Sequence, residues 1–540
     1  MKNIARKSAA LLVAVGLITA GVITTPANSA AKCETPSGVE TVAGKLTNGA
    51  AYVMKVPAKF GGTFFFWNHG FRPSFPYPGY TPPAGVEEVT PYSQNRGADV
   101  TCQMLRAGFA VASFDRVTTG LHGWNTDDGV AMLKELVDLA KAKYKTTKHV
   151  VVYGSSGGAP VVNKFMEKYP GVADSAGLMA GLTNINANIQ SACNLFYLLS
   201  IFADPTIKGC AAFGGKGVAG HIAALQELGK AAAVLTAWSQ NLGAPGLEYP
   251  AALKGSGIPQ RSALLLTGLL VGVPTKSAHM DGISTSAVIP EQSINATVAI
   301  LENMGEALGT GTFAGQALAE VVGAGFYDNT KTDFSALLSE ADAGRFNLGL
   351  SGDDAINAML GVLALSPRIK GDAAVMAKSA AFDALTYSST KPTILLSNEA
   401  DRLVFAGNSQ LYVDNARAAY EARLATWQAK YDAARTSSAK EALIPSKPRW
   451  NTLALYALTP ETYTKFTAAG LPDLAGAPAV SGVGHQSFTE KQMMTWVRML
   501  ATAADTGRVP TWTGAASQLA KVPNMNTDEF YQPSLLKYNK

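Results

Sequence analysis

The sequence predicts an α/β fold built on a mostly parallel sheet and interrupted by a long helical insertion. Three observations carry this. From Lys32 to about Gly181, apolar strand-like runs alternate with helical patterns, as a parallel sheet demands. From there to roughly Lys391 the alternation stops, and some two hundred residues rich in alanine, leucine and glycine read as helices. Strand character then returns at Pro392–Ser397 (PTILLS).

Taken in order, Gly62–Asn68 (GTFFFWN) is an aromatic strand that ends at His69-Gly70. Asp99–Ala107 reads as a helix closed by Gly108, and Phe109–Asp115 (FAVASFD) as a second strand. Asp128–Tyr144 is an amphipathic helix, with Val130, Leu133, Leu136, Val137 and Ala140 at helical spacing. His149–Tyr153 is a strand, and a helix with proline in its first turn begins at Ala159-Pro160. Ser175–Ala180 is a further strand. In the insertion the clearest helices are Leu225–Trp238, Ser293–Leu308, Ala314–Val322, Asp354–Leu365 and Asp372–Leu385. Gln410–Ala442 carries mixed charges and reads as a solvated helix or hairpin, Glu490–Ala501 as a helix, and the tail after Pro510 as loop.

The N-terminus reads as a secretory signal peptide over residues 1–31. Lys2, Arg6 and Lys7 precede an apolar stretch from Ala9 to Val22, and cleavage is expected near Ala30 or Ala31. The stretch is short for a membrane span, so no stable membrane anchor is expected. Losing those three basic residues takes the formal charge from +5 to +2. With no Lys/Arg cluster to track phosphates, nucleic acid is not expected as a partner. Four cysteines in a secreted chain point to two disulfides. Of the three pairings, Cys193 with Cys210 closes a short local loop, and Cys33 with Cys102 would pin the mature N-terminus to the body. No metal site is expected: there is no CxxC or HExxH, and the six histidines are scattered.

Gly154-Ser155-Ser156-Gly157-Gly158 sits where the strand ending at Tyr153 turns into the helix at Ala159. A G-x-S-x-G corner of this kind is a nucleophile elbow, which presents Ser156 above the sheet. A serine hydroxyl needs a base, usually histidine oriented by a carboxylate. Asp401 follows the returning strand in LLSNEADRLV, with Glu399 the alternative acid, and His485 lies in GVGHQSF ahead of a helix.

In these segments, together with WNHGF at 67–71, the chain resembles the α/β-hydrolase superfamily over most of residues 40–180 and 391–505. The resemblance implies an α/β-hydrolase core at 32–181 and 391–540, with a large helical cap at 182–390 inserted after the strand that follows the nucleophile helix. It implies Ser156 as nucleophile, His485 as base and Asp401 as its orienting acid, in the Ser…Asp…His chain order. The oxyanion hole would use the backbone N–H groups of Gly157 and Phe71, and no cofactor is implied. Phe75, Tyr77 and Tyr80, in the loop after the first of these strands, would wall an apolar substrate pocket. Secreted tannases and feruloyl esterases place cysteines beside nucleophile and histidine, whereas this chain has Ser155 and Gln486. Secreted aminopeptidases of the fold usually carry an aromatic residue after the nucleophile, where this chain has Gly157. The expected function is therefore secreted hydrolysis of small-molecule or polymeric carboxylic esters through an acyl-enzyme. The alternatives are an exopeptidase of the same fold, with Glu302, Glu306, Glu320 or Glu340 holding a substrate amino group, and a non-catalytic binding protein.

Overall fold

Eight strands form one sheet: β1 (Glu40–Lys45), β2 (Ala51–Val56), β3 (Thr63–Asn68), β4 (Ala110–Phe114), β5 (His149–Ser155), β6 (Ser175–Met179), β7 (Thr393–Asn398) and β8 (Thr452–Ala457). They come from a computed structural model, which describes residues 33–72, 81–82, 85–93, 98–116, 124–241, 256–274, 300, 303–460, 481–534 and 536–537. The signal-peptide reading at 1–31, the pocket residues Phe75, Tyr77 and Tyr80, and most of the helix expected at Ser293–Leu308 lie outside the described residues.

The spatial order is β1-β2-β4-β3-β5-β6-β7-β8. β1 and β2 form an antiparallel hairpin, β2 pairs antiparallel with β4, and every later pairing is parallel. Helices pack on both faces, and this strand order, with β2 alone antiparallel to the rest, is that of the α/β-hydrolase fold. The strands β3 to β7 are almost wholly buried, which explains why they read as continuous apolar runs rather than alternating ones.

Among the described residues, the helices of the first half are α1 (Thr101–Arg106), α2 (Thr126–Lys143) and α3 (Ala159–Lys168). Between β6 and β7 every named element is helical, chiefly α4 (Ile185–Phe202), α5 (Gly217–Asn241), α6 (Gln260–Val271), α7 (Gly315–Val322), α8 (Asp353–Leu365) and α9 (Ala373–Asp383). After β7 come α10 (Gly407–Ala433), which folds back through Ser437–Leu443 as a hairpin, and α11 (Glu490–Thr506). The region after Pro510 is not loop throughout. Trp512–Leu519 is a helix whose start is capped by the Thr511 hydroxyl and which buries Ala515 and Leu519.

Apolar side chains divide into three clusters. Two lie on the opposite faces of the sheet, and the third fills the helical segment around α4, α5 and α6. Disulfides join Cys33 to Cys102 on α1 and Cys193 on α4 to Cys210. No helix among the described residues is long and apolar enough to cross a membrane.

Candidate active site

All strands from β3 to β8 run parallel, so their C-terminal ends share one edge of the sheet, where ligands of open α/β sheets bind. Ser156 follows β5 directly and adopts φ of 49°, a left-handed conformation that costs a non-glycine residue energy and recurs at functional positions. The elbow tolerates no side chains at its glycines. A Cβ on Gly158 would lie 2.3 Å from the Asn68 carbonyl oxygen, and one on Gly157 2.9 Å from the Phe71 nitrogen. Those contacts bring the end of β3 hard against the turn, so the Gly157 and Phe71 backbones are neighbours of Ser156.

Asp401 and His485 come together from two loops that are laced like strands. The Ala400 N–H donates to the Gly482 carbonyl at 2.9 Å, and the Gly484 N–H to the Ala400 carbonyl at 2.9 Å. The Asn398 amide donates to the Gly484 carbonyl at 2.7 Å. His485 Nδ1 lies 2.9 and 3.2 Å from the two Asp401 carboxylate oxygens. Asp401 also accepts the backbone N–H groups of Leu403 and Val404 at 3.0 and 2.8 Å, so its carboxylate is fixed from two sides. Glu399, the alternative acid, is committed elsewhere: it accepts from the Thr459 backbone and hydroxyl and from the Tyr531 hydroxyl.

With Nδ1 donating to Asp401, Nε2 of His485 carries the lone pair of a base. The Gln486 side-chain nitrogen lies 3.3 Å from it and donates into that lone pair. The same Gln486 nitrogen and the Ser156 hydroxyl oxygen lie 3.5 and 3.6 Å from the point a Cβ on Gly70 would occupy. Ser156 and Gln486 therefore both stand over Gly70, and Gln486 in turn reaches His485. Ser156, Asp401, His485 and Gln486 are 5, 1, 8 and 3% exposed, which places the cluster in a dry setting where charge interactions are strong. Burial opposes the imidazolium of His485, but the Asp401 charge and hydrogen bond, with Glu306 beyond, outweigh it and hold the pKa above the ordinary 6.5.

Three residues near the site were not singled out from sequence for the places they take. Gln486 was noted only as the residue that replaces a cysteine. Glu306 reaches the site from the helical segment, where it pairs with Arg402 at 3.8 Å. Arg116, one residue beyond the FAVASFD strand, is fully buried against the β3 loop; the signal for it was an arginine directly following a core strand. Of the other acids considered in the insertion, Glu320 pairs with His221 at 3.4 Å, and Glu340 lies in the first turn of the short helix Glu340–Arg345. Glu302 lies outside the described residues. Among the described residues no three His, Cys, Asp or Glu side chains are grouped to hold a metal ion.

No protein-family model matches the chain, and no curated protein matches it. Among solved structures, it is similar to feruloyl esterase B from Aspergillus oryzae over 87% of this chain and 80% of that one, at 12% identity and a TM-score of 0.35. An esterase from Aspergillus oryzae matches over 70% of this chain and 68% of its own, at 13% identity and a TM-score of 0.29. An esterase of Pyrococcus furiosus matches over 32% of this chain at 15% identity and a TM-score of 0.21, and the chain spans 63% of that protein's length. Likeness at these levels carries no argument about substrate or reaction, which rest on the site itself.

Proposed function

We propose that the protein is a secreted serine hydrolase that cleaves carboxylic esters through an acyl-enzyme, with residues 182–390 acting as a helical cap over the hydrolase core. The observation that carries the reading is the His485–Asp401 pair at 2.9 Å, set on the same sheet edge as a serine at φ of 49° in a strand-to-helix corner. Secretion draws support from the N-terminal sequence and the two disulfides.

In this mechanism the Ser156 oxygen attacks the ester carbonyl carbon while its proton passes to His485 Nε2. Gln486 has to release that nitrogen first. The tetrahedral oxyanion is held by the Gly157 and Phe71 N–H groups, each donor contributing about 3 kcal/mol. The carbon–oxygen bond to the alcohol then breaks, and the departing oxygen takes the proton from His485. Water attacks the acyl-serine with His485 as base, releasing the acid and restoring the serine proton. Asp401 holds the imidazole tautomer and stabilises the imidazolium throughout.

The exopeptidase alternative has one observation in its favour: Glu306, an acid of the helical segment, meets Arg402, the residue after Asp401, at 3.8 Å. Its engagement with Arg402 leaves it poorly placed to receive a substrate ammonium, so ester cleavage is preferred. The deciding experiment labels the mature secreted protein with a fluorophosphonate, maps the modified peptide, and compares a 4-nitrophenyl ester with an aminoacyl anilide. Labelling at Ser156 with ester turnover is the expected result. Preferential anilide cleavage would replace the reading by the exopeptidase, and a folded protein that takes no label would replace it by a binding protein.

A further inference from the structure

The sheet order sets β4, β3 and β5 side by side, so their C-terminal ends present Arg116, the His69-Gly70-Phe71 loop and Ser156 in one row. The middle member of that row is gripped from the side away from the serine. One Arg116 guanidinium nitrogen donates to the His69 carbonyl and, at 3.2 Å, to the Gly70 carbonyl. His69 Nδ1 donates to the Gly70 carbonyl at 2.8 Å, while its Nε2 accepts the Arg116 backbone N–H at 3.1 Å. Burial, together with Arg116 and Arg72, keeps His69 well below its ordinary pKa, so the ring is neutral with a single assignment of its proton.

A trans peptide points its C=O and N–H in opposite directions. Drawing the Gly70 carbonyl toward Arg116 therefore turns the Phe71 N–H toward the elbow, where Gly157 and Ser156 lie. Donors on a carbonyl oxygen also polarise its peptide group and strengthen the N–H at the other end. The molecule makes room for this contact. Gly129 on α2 would, with a Cβ, meet Arg116 Cδ at 2.9 Å, and the Asn125 amide fixes the Arg116 carbonyl at 2.6 Å.

We propose that Arg116 is a positioning residue of the oxyanion hole, clamping the His69 and Gly70 carbonyls so that the Phe71 N–H faces the oxygen that becomes negative in the transition state. The proposal rests on the esterase reading above. Its test measures ester kcat and KM for wild type, Arg116→Gln and Arg116→Lys. Alongside, it measures inhibition by a trifluoromethyl ketone, to which Ser156 adds to leave an oxyanion in the hole.

Arg116→Gln is expected to lose about 100-fold in kcat with KM within about threefold, as loss of one oxyanion donor does. Arg116→Lys keeps the charge without the fork and is expected to recover part of that loss, remaining about tenfold below wild type. Inhibitor affinity should fall in step with kcat/KM across the series, a correlation that loss of folded protein would not produce. A folded Arg116→Gln with wild-type kcat overturns the proposal. If Arg116→Gln does not fold, Arg116→Lys decides alone, and undiminished kcat there overturns it equally. A wild-type protein that turns over no ester removes the esterase reading and this proposal with it. An active wild type with unaffected variants removes this proposal alone.

Discussion

Asp401 receives two backbone N–H groups as well as His485, so in the proposed mechanism its carboxylate would stay put as the imidazole becomes charged. Asp401→Asn would favour the wrong tautomer and is expected to lower kcat about 10⁴-fold with little change in KM. Ser156→Ala is expected to lose on the order of a millionfold in kcat, checked by turnover with trace wild-type contamination excluded. The pH profile follows from the sign of the histidine shift. In the proposed mechanism His485 must be neutral to accept the serine proton, and its pKa is raised, so kcat/KM is expected to climb with pH through a limb above 6.5. Glu306 contributes to that rise, so Glu306→Gln should move the limb to lower pH, and a limb that stays in place would remove Glu306 from the site's electrostatics.

At the scale of elements, the elbow shows why its sequence was readable. Glycines at 154, 157 and 158 are demanded by backbone approach, and such demands leave marks in the sequence. Gly158→Ala would force a Cβ into the Asn68 carbonyl, and a loss of about 3 kcal/mol is expected in urea unfolding, near the upper end for overpacking. Opening the 17-residue loop closed by Cys193 and Cys210 should cost a similar amount, about 3 kcal/mol, seen as a lower Tm of the double serine variant. Fully buried strands such as Phe64–Trp67 and Ile394–Leu396 announced themselves by unbroken apolar runs. The hairpin β1–β2 did not, because its residues are half exposed and β1 contains Gly44. The long helix α4 was not among the clearest helices of the insertion, since it is buried on nearly all sides, Asn188, Ser191 and Asn194 included, and shows no apolar stripe to read. Within the site, the chain order of Ser156, Asp401 and His485 was legible. Arg116 left only the mark of an arginine after a core strand, because the carbonyls it holds, those of His69 and Gly70, follow a different strand.

At the scale of the whole molecule, the helical segment is moored to the core at the edge that carries the site. Asn408, at the start of α10, accepts the Thr183 and Asn184 N–H groups at 2.8 and 3.0 Å and the Thr183 hydroxyl at 2.6 Å. The Asn188 amide and the Thr310 hydroxyl both donate to the Leu403 carbonyl, two residues past Asp401. Asn408→Ala would orphan buried donors and is expected to cost about 3 kcal/mol and to reduce ester turnover together, measured on one preparation. Because β7 pairs directly with β6 across the whole helical segment, neither half of the sheet edge is complete until the later half arrives. Ser156 and His485 stand 329 positions apart. At about 5–20 residues per second, synthesis takes roughly 15 to 65 seconds to travel from the elbow to the histidine. On the proposed reading, the nascent chain therefore carries Ser156 without its base through most of its own synthesis, and a chain released before residue 485 would never acquire it.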